Sequence, residues 1–179
     1  GKEMGAFTVK GNFRISFSHS GDYFATNFLS EKHDKIIRLW DLNQFRVIKS
    51  LEPDIGYVNT ILFTRDDRQL IVSSGHKTKM IDIASTRETK SLKPGASVRT
   101  MKLLDDDTHA MVYGYKKVIK LNLETGAQEN ISEIHNPDNW AWNDRFSQDF
   151  EYGLAVIEDD KKAFRLRHRK TDTAIRTFK

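Results

Sequence analysis

The chain has no cysteine, only three prolines and three tryptophans, and no long apolar run among its 179 residues. The absence of cysteine excludes disulfides, zinc–thiolate sites and cysteine nucleophiles, and it fits a reducing compartment. No apolar stretch approaches the roughly 20 residues that a membrane-spanning helix requires, and the first residues show no apolar segment of the secretory kind. These absences favour a protein of the cytoplasm without a membrane span, and a nuclear location is compatible with them too.

Charge is distributed unevenly along the chain, which carries a formal net charge of +4. Residues 161–179 hold eight lysines and arginines and a single acidic residue, Asp172. The remaining 160 residues are close to neutral and slightly acidic. A uniformly basic nucleic-acid-binding domain would not show this division, so any contact with phosphates is expected at the basic C-terminal segment.

The sequence repeats itself with a period of about 40 residues. The tripeptide Lys49-Ser50-Leu51 returns as Lys90-Ser91-Leu92. Residues 58–63 align with 98–103, and the alignment continues beyond them without a gap. The three prolines follow the same spacing. Because proline cannot donate a hydrogen bond within a sheet, each is expected in a connection between repeats. Each repeat alternates apolar and polar residues in four short segments separated by turns, which predicts four strands.

The segment Asp34-Lys35-Ile36-Ile37-Arg38-Leu39-Trp40-Asp41 places an aspartate six residues before a Trp-Asp pair. Together with the repeat, this segment closely resembles the WD-repeat family. The resemblance implies an all-β fold of four-stranded antiparallel propeller blades, as part of a seven-bladed ring whose remainder lies in the same full-length chain. The expected parts, all of one propeller domain, are a lead-in or the end of a preceding blade at 1–12 and blades at 13–51, 52–92, 93–131 and 132–179.

The resemblance also assigns structural roles inside the first blade. It implies a hydrogen-bonded network of Thr26, Asp34 and Trp40, with Asp41 completing the Trp-Asp pair, and it places Trp40 against a neighbouring blade. The family's usual histidine is missing from this network. Only one Trp-Asp pair occurs, and Ile81-Asp82 and Leu121-Asn122 take its place in the next two repeats. An exposed blade face would make the isolated chain associate or bind hydrophobic dyes.

No arrangement in the sequence indicates catalysis, a cofactor or a metal. Ser18, His19 and Asp22 belong to one tight turn, whereas the members of a catalytic triad meet through the fold. The run Asp105-Asp106-Asp107 lacks the alternating spacing and the glycine of a calcium loop. Phosphate-binding loops, nucleophile elbows and His-Glu-x-x-His motifs are also missing. The resemblance to the WD-repeat family implies a non-catalytic scaffold that binds other proteins, and the lack of any catalytic arrangement agrees with this expectation.

In the WD-repeat family, the connections between blades and the turns between second and third strands share one face, which commonly binds the partner. Carried onto this sequence, that face would form a basic and aromatic rim suited to an acidic protein segment. Its candidate residues are Lys32, His33, His76, Lys77, Tyr115, Lys116, Lys117 and Trp140. Trp140 has a second interpretation, since tryptophan also fills the gaps between blades.

The alternative hypothesis is binding of nucleic acid or another anionic surface through the hairpin at 161–179. Its candidate contacts are Arg165, Arg167, Arg169 and Lys170. Clustered basic residues bind phosphates by releasing counterions, so this interaction would weaken steeply as salt rises. A charged outer hairpin that prevents strand-to-strand association explains the same residues without a ligand.

Overall fold

The computed structural model describes residues 13–28, 36–133, 152–157, 160–168 and 173–178. This part of the chain holds fifteen β-strands and no helix, which confirms the prediction of an all-β chain. The strands are β1 Phe13–Phe17, β2 Tyr23–Phe28, β3 Ile37–Asp41, β4 Arg46–Leu51, β5 Thr60–Phe63, β6 Gln69–Ser74, β7 Lys77–Asp82, β8 Glu88–Leu92, β9 Val98–Leu103, β10 His109–Gly114, β11 Lys117–Asn122, β12 Gln128–Glu133, β13 Tyr152–Ile157, β14 Asp160–His168 and β15 Thr173–Phe178.

The first twelve strands form three four-stranded antiparallel sheets, each in simple chain order. Sheet 1 contains β1–β4, sheet 2 contains β5–β8 and sheet 3 contains β9–β12. The first strands of neighbouring sheets adjoin each other. These sheets belong to a compact unit of residues 1–133, and a second unit covers 134–179. Within the second unit, β13, β14 and β15 pair in that order as an antiparallel sheet.

Two apolar cores lie between the three sheets. Sheet 2 contributes side chains to both cores, because successive residues of a strand point to opposite faces. In β6, Leu70 and Val72 enter the core between sheets 1 and 2, whereas Ile71 between them enters the core between sheets 2 and 3. All three side chains are fully buried. Sheet 2 is therefore packed on both faces.

Two lysines on the fourth strands tie each sheet to the next one. The ammonium group of Lys49 donates hydrogen bonds to the main-chain carbonyls of Ile83 and Ala84, at 2.6 and 2.5 Å. One repeat later, Lys90 donates to the carbonyl of Glu124 at 2.6 Å. The repeated Lys-Ser-Leu tripeptide is thus explained by a repeated contact between neighbouring sheets.

The turns between third and fourth strands are built alike in all three sheets. The side chains of Asp41, Asp82 and Asn122 accept main-chain N–H groups three residues later, at 2.8, 2.7 and 2.7 Å. Four residues after each of them, the backbone has a positive φ: 50° at Phe45, 61° at Thr86 and 76° at Gly126. Glycine suits this conformation, whereas a β-branched residue is strained in it.

Replacing Thr86 by glycine is therefore expected to stabilise the protein by about 1 kcal/mol, since left-handed backbone costs most residues that order of free energy. Urea unfolding followed by fluorescence measures the change. Thr125→Gly is the matched control, because Thr125 does not have a positive φ and its hydroxyl accepts the Ala127 N–H at 3.2 Å. A Thr86→Gly variant less stable than the natural chain would contradict this account of the turn.

One face of sheet 1 differs from the corresponding faces of sheets 2 and 3. Ile61 and Phe63 on β5 are buried by sheet 1, with exposed fractions of 4% and 2%. Their counterparts one repeat earlier, Ile15 and Phe17, are 41% and 56% exposed. Trp40 lies on this same open face and is only half-buried. The described contacts of Trp40 with Thr26, Phe24 and Phe45 lie within its own sheet, and its packing against a neighbouring blade stays a prediction.

Candidate functional site

The loops of sheets 1 to 3 are divided between two ends. One end, which we call the connection end, holds the connections between sheets (52–59 and 93–97) and the turns between second and third strands (75–76 and 115–116). The opposite end, the turn end, holds the remaining short turns within each sheet. The candidate partner-binding residues that the structure describes fall at the connection end.

Val98, the first residue of β9, is bonded to two loops of the connection end. Its N–H donates to the carbonyl of Gly75 at 2.6 Å, which attaches the turn that carries His76 and Lys77. Its carbonyl accepts the side-chain amide of Asn59, also at 2.6 Å. Two loops from sheet 2 are thereby fixed beside the start of sheet 3.

The residue after Val98 extends this arrangement to the next turn. The guanidinium carbon of Arg99 lies 4.2 Å from the centre of the Tyr115 ring, a cation–π contact. Tyr115 is nonetheless 51% exposed, and the neighbouring Lys116 is exposed as well. The contact therefore holds an aromatic ring in place at the surface without covering it.

Close packing also fixes the turn between β10 and β11. A Cβ atom added to Gly114 would lie 2.9 Å from the Cβ of Ala96 and 3.2 Å from the carbonyls of Ser97 and Lys117. The turn and the 93–97 connection approach each other more closely than any side chain at position 114 would allow. The rigid base of this turn positions Tyr115, Lys116 and Lys117.

The structure brings five of the eight predicted partner-binding residues to one end of the sheets: His76, Lys77, Tyr115, Lys116 and Lys117. Lys32, His33 and Trp140 lie outside the described residues, as does Asp34 of the expected network. Two further residues join the surface, Arg99 and the 48%-exposed Tyr57. We call the set of Tyr57, His76, Lys77, Arg99, Tyr115, Lys116 and Lys117 the rim.

Sequence reasoning missed Arg99 and Tyr57 for different reasons. Arg99 lies in a strand, and its contact with Tyr115 depends on the register of β9 beside the β10–β11 turn. Tyr57 belongs to a connection that the sequence did place at this end. Tyr57 could have been identified from the sequence, because it is an aromatic residue between Gly56 and the apolar start of the next strand.

The other structural residues of the first blade also have defined contacts. The indole N–H of Trp40 donates to the hydroxyl of Thr26 at 2.8 Å. The Trp40 ring stacks on Phe24, with centres 5.5 Å apart and an angle of 9° between the planes. The carboxylate of Asp41 accepts the N–H of Gln44. These contacts join the second and third strands of sheet 1 and the turn that follows the third strand.

The basic hairpin is described only as backbone. Arg165 lies opposite Ala155 and Thr177, and Arg167 lies opposite Gly153. These register positions put both arginines on one face of β14. Arg169 and Lys170 lie outside the described residues.

The two ends of sheets 1 to 3 carry opposite charge. The described loops of the connection end combine the basic residues of the rim and Lys93 with two acidic residues, Glu52 and Asp54. The turn end has three arginines, Arg65, Arg68 and Arg87, and a larger number of carboxylates, namely Asp22, Asp66, Asp67, Asp105, Asp106, Asp107 and Glu124. Such a separation favours acidic ligands at one end and basic ligands at the other.

Neither a metal site nor a membrane span is found in the described part of the chain. Its histidines and carboxylates form no group of three or more that could hold a metal ion. The same residues contain no helix that is long and apolar enough to cross a membrane.

Comparison with known proteins shows the fold and leaves the activity open. No family model matches the sequence, and no curated protein matches it either. Among solved structures, the chain is similar to the β-propeller domain of Myceliophteria thermophila Cps50 (Swd1), with a TM-score of 0.64, 12% identity and coverage of 99% of this chain and 58% of that one. It is also similar to hydrazine synthase of Kuenenia stuttgartiensis, with a TM-score of 0.61, 17% identity and coverage of 99% and 52%. The chain spans between half and three-fifths of these two structures, and its sheets are β-propeller blades.

Proposed function

We propose that this chain is a non-catalytic interaction scaffold that binds an acidic segment of a partner protein at the rim. The observation that carries the proposal is the bonding of Val98, which gathers separate loops into one surface. A surface whose loops are fixed by hydrogen bonds to main-chain groups loses little conformational freedom on binding, which favours affinity.

The chemistry of the rim supports an acidic protein ligand. Tyr57 and Tyr115 offer large exposed rings with few rotatable bonds, the kind of residue that dominates protein interfaces. The lysines and Arg99 supply positive charge, which accelerates the approach of an acidic partner. The similarity to a β-propeller domain supports a scaffold role at the level of the fold alone.

The test uses partners recovered with the full-length protein and a variant that combines Lys32→Ala, Lys77→Ala, Lys116→Ala and Tyr115→Ala. We expect binding to weaken by at least about 100-fold, since losing an aromatic anchor alone costs 2 kcal/mol or more at many interfaces. The matched control combines Lys102→Ala and Lys120→Ala, two lysines on the strands of sheet 3 outside the rim. Its affinity should stay within about twofold, as is usual for surface changes away from the interface.

A second variant separates this proposal from the alternative of an anionic surface bound by the basic hairpin. It combines Arg165→Ala, Arg167→Ala and Arg169→Ala. Unchanged affinity in the rim variant, with loss in the hairpin variant and a steep decline of binding with salt, would overturn the rim proposal in favour of phosphate binding.

A further inference from the structure

A groove of about 380 Å³ opens between sheets 2 and 3 at their turn end, away from the rim. Its apolar lining comes from Met80 and from Leu123, which belongs to the core between these sheets. Polar groups of Gln69 and Thr89 line it as well, and the carboxylates of Asp66 and Glu124 stand among its lining residues. The groove therefore combines an apolar surface with acidic groups.

The cations that line this groove are already engaged with groups of the protein. Arg65 forms ion pairs with Asp105 and with Asp107, the latter at 2.8 Å. The ammonium group of Lys90 donates to the main-chain carbonyl of Glu124. The side chain of Glu124 forms no ion pair with any residue in the described part of the chain. The Lys90 ammonium keeps its positive charge beside the main chain of Glu124, because a carbonyl acceptor is neutral.

Asp66 is held in its charged form by its neighbours. Its carboxylate accepts the Thr64 hydroxyl at 2.6 Å and the Arg68 N–H at 3.1 Å. The Thr64 hydroxyl is the main reason that the pKa of Asp66 lies below its usual value. The guanidinium of Arg68 is 4.0 Å away and largely exposed, so it screens this charge only weakly. The lining of the groove therefore has three carboxylates, Asp66, Asp107 and Glu124, against two cations, Arg65 and Lys90, and is weakly acidic at neutral pH.

The preceding junction, between sheets 1 and 2, shows what makes this groove different. The hydrogen bond from the N–H of Thr64 to the carbonyl of Gln69 has its counterpart between Ser18 and Tyr23, which aligns the two junctions. Tyr23 packs against the core there, at the position that Gln69 occupies in the groove. The positions of the two acidic residues, Asp66 and Glu124, are taken by Ser20 and Ala84. The junction between sheets 1 and 2 thus has a tyrosine and two uncharged residues at these three positions. The groove between sheets 2 and 3 has the smaller glutamine and two carboxylates there.

We propose that this groove binds an arginine or lysine side chain from an extended segment of a second protein. The aliphatic stem of that side chain would lie along Met80 and Leu123, and its charged head would lie between Asp66 and Glu124. Long basic side chains commonly bury their stems on apolar surface while their heads remain at polar groups. The volume is in the range of pockets that hold small ligands, which suits one such side chain with part of its flanking backbone. This site is separate from the rim and takes the opposite charge.

The first experiment titrates the protein with N-acetyl-arginine amide and, separately, with its neutral analogue N-acetyl-citrulline amide. Nuclear magnetic resonance follows the methyl group of Met80 and the side-chain amide of Gln69. We expect saturating shifts with the arginine compound and none with citrulline. Equal responses to both compounds, or shifts that never saturate, would overturn the proposal.

The chain itself supplies the variants for the second experiment. Gln69→Tyr fills the groove with the residue found at the preceding junction and leaves the net charge unchanged. Glu124→Ala removes a carboxylate at a position where the preceding junction has alanine, and Glu129→Ala is its control on the exposed surface of β12. We expect no saturable binding to Gln69→Tyr, binding about tenfold weaker to Glu124→Ala, as for one lost charged hydrogen bond, and unchanged binding to Glu129→Ala.

Attraction to the acidic turn end as a whole would give a different pattern. It would leave binding to Gln69→Tyr intact and would reduce binding to Glu124→Ala and Glu129→Ala alike, and either result refutes the groove. Should Gln69→Tyr fail to fold, Asp66→Ser combined with Glu124→Ala makes the same test, because both side chains are exposed. Undiminished arginine binding to that double variant would count against the proposal.

Discussion

Replacing Phe63 by alanine should lower the free energy of unfolding by about 3–5 kcal/mol, the usual cost of truncating a buried phenylalanine. Phe63 is 2% exposed and belongs to the core between sheets 1 and 2. Its removal leaves a cavity between sheets 1 and 2. The hydrogen bond of Lys49 holds the two sheets at their present spacing, so they cannot easily close the cavity. Urea unfolding monitored by circular dichroism measures the loss.

Phe17→Ala is the matched control, since Phe17 holds the same position one repeat earlier and is 56% exposed. Its cost should stay below about 1 kcal/mol, as for most surface substitutions, even though its ring lies 5.8 Å from that of Phe24. Equal costs for the two variants would show that the open face of sheet 1 is covered in solution. A dependence of stability on protein concentration would then identify self-association as the cause.

The open face of sheet 1 also bears on the expectation that the isolated chain binds hydrophobic dyes. Ile15, Phe17 and Val47 are each at least 39% exposed and share this face. Dye fluorescence should therefore fall when Phe17 is replaced by serine. The Phe63→Ala variant, by contrast, should bind more dye because its core is loosened.

Truncation of Trp40 to alanine is expected to cost about 3 kcal/mol, the lower part of the range for tryptophan because the ring is half-buried. The variant loses the stacking on Phe24, the contact with Phe45 at 6.1 Å and the hydrogen bond to Thr26. The contact with Phe45 matters because Phe45 has a positive φ, and its packing on Trp40 offsets part of that strain.

Thr26→Val isolates the hydrogen bond from the packing. Valine has nearly the shape of threonine, so this variant should lose only about 1 kcal/mol, the typical contribution of one hydrogen bond. Thermal unfolding of both single variants and of the double variant gives the coupling between the two residues. A loss below about 1 kcal/mol for Trp40→Ala would show that the aromatic cluster contributes little to sheet 1, against our interpretation of the stack.

Much of the fold was predictable because its signals are local. Alternation and turn residues define four strands per repeat, and the 40-residue self-match sets sheet 3 in the register of sheet 2. The side chains of Asp82 and Asn122 occupy the same place in their turns, as the alignment of these residues predicts. Backbone strain at Phe45 and Thr86 was not predictable in this way, because only Gly126 at the third equivalent position carries the residue that signals a positive φ.

The candidate sites were less predictable because they depend on which surfaces meet. The sequence placed the turns of Lys77 and Tyr115 at one end through the family resemblance. The junction at Val98 depends on a β-bridge between Gly75 and Val98 that lies outside the regular strand pairing. The groove exists because the side chain of Gln69 is smaller than that of Tyr23 at the equivalent position. Strand alternation predicts only that both side chains face inward, so it does not reveal this difference. Exposure of Phe17 likewise depends on what lies opposite sheet 1.

The lysine contacts between sheets have a consequence for how this sequence can change during evolution. Lys49 and Lys90 donate to main-chain carbonyls, which every amino acid provides. The acceptor positions are accordingly free to differ, and they hold isoleucine, alanine and glutamate. Substitution of the residues that supply the acceptor carbonyls leaves the hydrogen bond between the sheets intact as long as the lysine remains. Repeats joined in this manner can diverge in sequence while their geometry persists, which agrees with a chain that matches propeller structures and no family model.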